Sequence, residues 1–236
     1  NYNTPGGIFI LRRKIELMVL LLILAGLLSL SKNLQKYVSS ENVVAAGKVI
    51  VIDSGHGGDD PGKIGINQAK EKDVNLKIAK KVKKRLKKEG WKVVMTREED
   101  VMLGDAEKGN RKIHDMKARV ELINKTMPAM AVSIHQNSYQ EAEIHGAQVF
   151  YYSHSQDGKR MAETMQRALL MADEENTRQA KGNDTYYLLK RTEVPTIIVE
   201  CGFLSNPQEA EKLTEDGYQK KLAQAITSGI IACVGN

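Results

Sequence analysis

Three apolar runs, each broken off at a polar residue, constrain this chain more than any other feature. Val49-Ile50-Val51-Ile52-Asp53 leads into Ser54-Gly55-His56-Gly57-Gly58, Ala131-Val132-Ser133-Ile134 leads into His135-Gln136-Asn137, and Thr196-Ile197-Ile198-Val199 leads into Glu200-Cys201-Gly202. Short runs rich in β-branched residues, without polar alternation, describe strands buried on both faces. Helical patterns alternate with them. Over 72–89, Val74, Ile78, Val82 and Leu86 recur at every fourth position as one apolar stripe, and Gly90 then stands where helices close. The pattern predicts strands over 48–53, 91–95, 130–135, 146–152, 186–189 and 195–200. It predicts helices over 72–89, 113–125, 156–175, 209–213 and 218–234. The fold class is therefore α/β: a twisted, mostly parallel or mixed sheet with helices on both faces, in a single domain. In such sheets functional groups gather beyond the carboxyl ends of the strands.

The domain occupies 48–236. Before it, Arg12-Arg13-Lys14 precedes an uncharged apolar stretch from Leu17 to Ser31. A basic region followed by an apolar one is the pattern of an export signal. Its uncharged part is shorter than the ~20 residues that comfortably span a bilayer. Residues 1–31 are read as either a cleaved signal peptide or a retained signal-anchor, and 32–47 as a polar linker. The protein is accordingly expected to be exported, anchored to the membrane or secreted to the wall.

The net charge is +6, and eleven of the basic residues fall between Lys70 and Lys92. That run reads as the solvated face of a helix. Aromatic residues are only 5% of the chain and do not interleave with the basic run, which argues against a nucleic-acid groove. Two cysteines, Cys201 and Cys233, do not make a disulfide framework. Cys201 alternates with Glu200 along its strand, so it is expected to face the other way and pack as a small hydrophobe.

Three imidazole or carboxylate ligands plus one spare carboxylate is the inventory of a hydrolytic zinc site. His56 lies among glycines that let the backbone turn sharply. His135 is placed by the apolar strand before it. Glu71 opens the 72–89 helix, where the peptide dipole favours an ionised carboxylate. Glu200 ends a near-continuous apolar strand, and desolvation there raises a carboxylate pKa towards the range a general base needs. Any one of these residues alone has an ordinary structural explanation; their joint placement points to a metallohydrolase. His114 and His154 read as surface residues, and His145 lies at a strand start outside the ligand set.

The same residues resemble a known family. Asp53-Ser-Gly-His56-Gly-Gly, Glu71-Lys-Asp73, Thr96-Arg97-x-x-Asp100, Arg119 with Asn124, Ser133-Ile-His135-x-Asn137 and Glu200-x-Gly-Phe-Leu-Ser-Asn206 are similar to the zinc N-acetylmuramoyl-L-alanine amidases of the type-3 catalytic family, in order and spacing, over nearly all of 48–234. The resemblance implies Zn2+ held by His56, Glu71 and His135, with Glu200 as the catalytic carboxylate, and peptidoglycan as the substrate. One departure is Ser54, where the family usually has proline, which alters the stiffness of the loop rather than its chemistry. Asn176-Thr-Arg-Gln-Ala-Lys181 and Tyr187-Leu-Leu189 are similar to the germination-specific amidases of spore formers. That likeness implies action in spore cortex as the first step towards muramic-δ-lactam, before a separate deacetylase, with a lipoprotein activator as a partner. Arg97, Arg119 and Arg178 have the chemistry to hold substrate carboxylates, though structural pairing competes for the first two. Asn137 is a candidate to orient a ligand or contact substrate. Two rival readings remain: a zinc peptidase acting on stem peptides, and a non-catalytic wall-binding module.

Overall fold

The computed structural model describes residues 49–104 and 110–235, together with Met18. The signal or anchor expected over 1–31, Met18 apart, and the linker over 32–47 lie outside the described residues. Among the described residues no helix is long and apolar enough to cross a membrane.

The chain from Val49 onward winds one six-stranded sheet and covers both its faces. Strand β1 (Val49–Ser54) is followed by helix α1 (Glu71–Lys88), β2 (Lys92–Met95), α2 (Arg111–Thr126), β3 (Met130–Asn137), β4 (Gln148–Tyr152) and α3 (Gln156–Leu169). Then come β5 (Lys181–Asn183), the short α4 (Tyr187–Arg191), β6 (Thr196–Phe203), α5 (Pro207–Thr214) and α6 (Asp216–Val234). The strand order is β2-β1-β3-β6-β4-β5. β2, β1, β3 and β6 run parallel, and β4 joins β6 antiparallel while pairing with β5 in parallel, so the sheet is mixed.

The two-residue period of the strands sorts their side chains into two cores. On one face Ile50, Ile52, Val132, Ile134, Ile197, Val199 and Cys201 pack under α1, α3, α5 and α6. On the other, Val51, Ala131 and Ile198 pack with Ile123 of α2 and with Leu188 and Leu189 of α4. The predicted stripe of α1 is the buried one: Val74, Ile78, Val82 and Leu86 are all inside. Each such side chain contributes about 1.5–3 kcal/mol of burial. α1 ends in a Schellman motif. Gly90 has φ 81°, its N–H donates to the Lys87 carbonyl, and the Trp91 N–H donates to the Leu86 carbonyl. Cys201 is buried on the face away from Glu200, and both cysteines are free.

The structure differs from the sequence reading at three places. Residues 186–189, expected as a strand, open helix α4. Asn183 decides this: its Oδ1 accepts the N–H groups of both Thr185 and Tyr186 and turns the chain. Strand β5, Lys-Gly-Asn, has no β-branched residue to reveal it and exists because it lies along β4. Helix α3 stops at Leu169 rather than 175, tightening through hydrogen bonds from Leu170, Met171 and Ala172 to carbonyls three residues back.

Candidate metal centre

The carboxyl ends of β1, β3 and β6 and the first residue of α1 converge on one cavity of about 580 Å3. His56, Glu71, His135 and Glu200 all line it. Ligand atoms of His56, Glu71 and His135 lie within 4.8 Å of one another. Glu71 is the hub. Its Oε2 is 3.2 Å from His56 Nε2 and its Oε1 is 2.9 Å from His135 Nδ1. Main-chain N–H groups of Lys63 and Gln136 donate to the same carboxylate at 2.8 and 3.1 Å. Burial alone would raise the Glu71 pKa, but the hydrogen bonds to His135 and His56 outweigh it and hold the group well below the usual carboxylate range. His135 is the reciprocal case. Burial would lower its pKa, yet the bond to and charge of Glu71 push it up to about 9.

His56 adopts φ 60°, left-handed backbone that a non-glycine residue rarely takes. Its surroundings over-determine that conformation, as at many functional sites. Arg119 Nη2 donates to the His56 carbonyl at 2.7 Å. Asp60 Oδ2 lies 2.7 Å from His56 Nδ1, which fixes the ring and leaves Nε2 facing Glu71. Asp60 was not foreseen in the sequence. The signal was an acidic residue four positions past His56 in a glycine-rich turn, folded back by the pairing of Gly57 with Asp60. Lys112 holds the other Asp60 oxygen at 2.8 Å.

Under this loop lies a buried charge network. Asp53 accepts from Arg119 Nη1 at 2.6 Å, from Thr96 Oγ1 at 2.7 Å and from Ser133 Oγ. Burial would raise the Asp53 pKa, but Arg119 foremost, then these hydrogen bonds, take it down to about 2. Arg119 also pairs with Asp115 at 2.7 Å. Arg97 gives its donors to the carbonyls of Ser54, Gly55, Lys72 and Glu99. Both arginines thus bind the loop rather than open space. Ser54 donates its N–H to Thr96 Oγ1 at 3.2 Å, a bond proline would lack, while its own Oγ is buried without a partner among the described residues.

Glu200 faces His135 across the pairing of β3 and β6. It is 7% exposed, and its Oε2 has no hydrogen-bond partner among the described residues. Burial foremost, with the nearby Glu71 charge adding, raises its pKa to about 7 against the pull of the histidines. Tyr186 lines the same cavity, and burial beside Glu200 and Glu71 raises its pKa to about 12. A carboxylate near neutral pKa beside a three-ligand cluster can move protons at a metal-activated reaction centre.

Asn137 also lines the cavity. Arg178 does not: it lies over the Phe203 ring, 4.6 Å from its centroid, and donates to the His145 carbonyl and Gln148 Oε1. His154 is exposed, and His114 and His145 are outside the cavity lining.

A family model described as N-acetylmuramoyl-L-alanine amidase matches residues 50–232. The germination-specific N-acetylmuramoyl-L-alanine amidase of Bacillus subtilis is 40% identical over 189 residues, 79% of this chain and 79% of that protein. Among solved structures, the CwlD amidase of Clostridioides difficile, in complex with the GerS lipoprotein, superposes with a TM-score of 0.77 at 38% identity. The match covers 80% of this chain and 98% of that one. The N-acetylmuramoyl-L-alanine amidase AmiC2 of Nostoc punctiforme gives 0.71 at 29% identity, covering 80% and 98%.

Proposed function

The chain belongs to the N-acetylmuramoyl-L-alanine amidase family, and from that premise we propose a zinc-assisted hydrolysis in which His56, Glu71 and His135 hold the metal and Glu200 moves the protons. The bond hydrolysed is the amide between the lactyl group of N-acetylmuramic acid and L-alanine in peptidoglycan. The observation that carries the zinc reading is the clustering of two imidazole nitrogens and a buried carboxylate within 4.8 Å, next to the orphaned Glu200 Oε2. This donor set fits zinc. Two imidazoles and one carboxylate are the three protein ligands that catalytic zinc takes, with a fourth position left to water or substrate.

Zinc, when bound, supplies a Lewis acid that polarises the lactyl carbonyl and makes water acidic enough to deprotonate near neutrality. Glu200, unpartnered and close to neutral pKa, takes the proton from the attacking water. It then returns that proton to the departing alanine nitrogen, which leaves badly as an anion. Main-chain N–H groups of Lys63 and Gln136 hold the Glu71 carboxylate, and Asp60 orients the His56 ring through Nδ1, leaving Nε2 for the metal. Asn137 lines the cavity, and on this reading it contacts the substrate near the scissile bond. Arg178, outside the wall, would meet a more distant part of a polymeric substrate.

The likeness to the germination-specific amidase supports action in spore cortex as the first step of muramic-δ-lactam formation, ahead of a deacetylase. The likeness to CwlD supports a lipoprotein partner. The site acts outside the cytoplasm on this reading, with residues 1–31 as signal or anchor.

Mass spectrometry of purified peptidoglycan digested by the full chain, with added zinc or with chelator, tests the proposal. Free lactyl ends and intact stem peptides that appear only with zinc, and vanish with Glu200→Gln, are the expected result. Shortened stem peptides would favour a peptidase, and zinc-independent binding without products would favour a wall-binding module.

A further inference from the structure

A second concavity, of about 600 Å3, lies between the last two turns of α1 and the outer side of α6. Lys81, Lys84, Arg85 and Lys88 of α1 and Lys220 of α6 line it, against one acid, Glu89. Gln224 and Ser228 add neutral polar groups. Two of the five cations are already partnered, since Lys81 and Lys220 share Asp216 at 3.0 and 2.6 Å. Lys84, Arg85 and Lys88 have no carboxylate within ion-pair distance among the described residues. Three uncompensated cations on consecutive turns of one helix, facing a hollow, are more than a solvated stripe.

We infer that this groove docks the phosphate headgroups of an anionic phospholipid surface. The guanidinium of Arg85 suits phosphate in forked geometry, and the lysines supply point charge. No aromatic side chain lines the groove, so it offers nothing on which a base or sugar ring could stack. Its place in the fold selects the lipid surface among phosphate-bearing polymers. Lys92, the first residue of β2, is in register with Val49, where the chain enters the domain. The groove therefore lies at the end of the sheet where the described residues begin, and in the sequence that point follows Arg12-Arg13-Lys14 and the apolar run 17–31. Glu71 opens α1 and the groove is lined by its residues Lys81 to Lys88, so the groove begins about 15 Å from Glu71 along the helix and ends about 25 Å from it. Contact with lipid at one end leaves the cavity open at the other. That consequence rests on the amidase reading, whereas the lipid contact itself does not.

Co-sedimentation of the full chain with phosphatidylcholine vesicles, and with vesicles containing a third phosphatidylglycerol, tests this without any turnover. Residues 17–31 and the basic cluster Arg12-Arg13-Lys14 are the same in wild type and variants, so their contribution cancels when those proteins are compared. The expected result is at least a tenfold preference for the anionic vesicles in low salt, collapsing near 0.5 M salt as the charges are screened. At roughly fivefold per basic residue near an anionic surface, the triple substitution Lys84→Gln, Arg85→Gln and Lys88→Gln lowers that preference by up to about a hundredfold. A control triple on the other face, Lys117→Gln, Lys125→Gln and Lys190→Gln, leaves it unchanged, and circular dichroism confirms that both variants are folded. Equal binding to the two vesicle types overturns the inference, as does an equal loss in both triple variants. Soluble poly(glycerol phosphate) that binds through the groove while vesicle preference survives the groove substitutions overturns the assignment to lipid.

Discussion

Glu200 and Cys201 are neighbours in sequence and opposites in setting, because a strand turns successive side chains to opposite faces. Cys201 is sealed in one core of the sheet, while Glu200 reaches the cavity with one oxygen unpartnered among the described residues. An isosteric amide keeps that shape and removes the proposed base. Glu200→Gln should lower turnover by about a hundredfold or more, with zinc content by elemental analysis and thermal stability both unchanged. Asp60 acts one bond further out, on the His56 ring. Asp60→Ala should leave the chain folded and weaken zinc binding by roughly 10–100-fold, read by competition with a chromogenic chelator. Asp53 makes a different kind of statement, about stability. Its pKa in the folded protein is about 2 against an ordinary 3.8, because Arg119 and two hydroxyls favour its charge. A depressed carboxylate contributes stability that is complete above pH ~4 and is lost as pH falls towards 2, here about 2 kcal/mol. Asp53→Asn, which leaves Arg119 short of a partner, should destabilise the domain by about 3 kcal/mol at pH 7. Urea titrations should show the gap between variant and wild type narrowing from pH 4 to pH 2.

Elements place these residues, and their legibility in sequence follows the range of the forces that make them. β1, β3, β6 and α1 could be read because each is dictated by its own apolar pattern, and each delivers one member of the site at its end. The two-residue strand period also put Cys201 on the correct face. Helix α4 departs from the strand expected there because Tyr-Tyr-Leu-Leu has β propensity, whereas the turn that leads into the helix is set by the hydrogen bonds of a single side chain, Asn183. β5 could not be seen, since its reason is β4 beside it. Asp60 was missed for the same kind of reason. Its role is created by the turn through Gly57, which no periodicity records. The loop after β1 carries a further test. Gly55 has no room for a side chain: a methyl group there would sit 2.3 Å from the His135 ring. Gly55→Ala should therefore displace the imidazole and abolish zinc binding. The sheet beneath keeps its packing, so the far-ultraviolet spectrum should remain near that of wild type.

At the scale of the molecule, the candidate metal centre sits on two layers of support that differ in what they cost to disturb. The apolar cores on both faces of the sheet hold the strand ends whether or not a cation is present. The carboxylate and two imidazoles at those ends are otherwise left balancing one another, a buried acid against a histidine whose pKa is pushed up to about 9. A cation bound there is linked to folding by mass action, adding about 2.7 kcal/mol when zinc is at a hundred times its dissociation constant. For a domain of this size each kcal/mol moves the midpoint of thermal unfolding by about 2–4 °C. Chelation should thus lower the midpoint of a fragment spanning 48–236 by about 5–10 °C while leaving a single cooperative transition. Glu200→Gln should show the same shift, because it removes the base and no ligand. His135→Ala should show none, because its site no longer closes around the ion. A calorimetric scan of the three proteins with and without chelator separates metal binding from catalysis without measuring activity. An undiminished shift in His135→Ala would remove that residue from the ligand set.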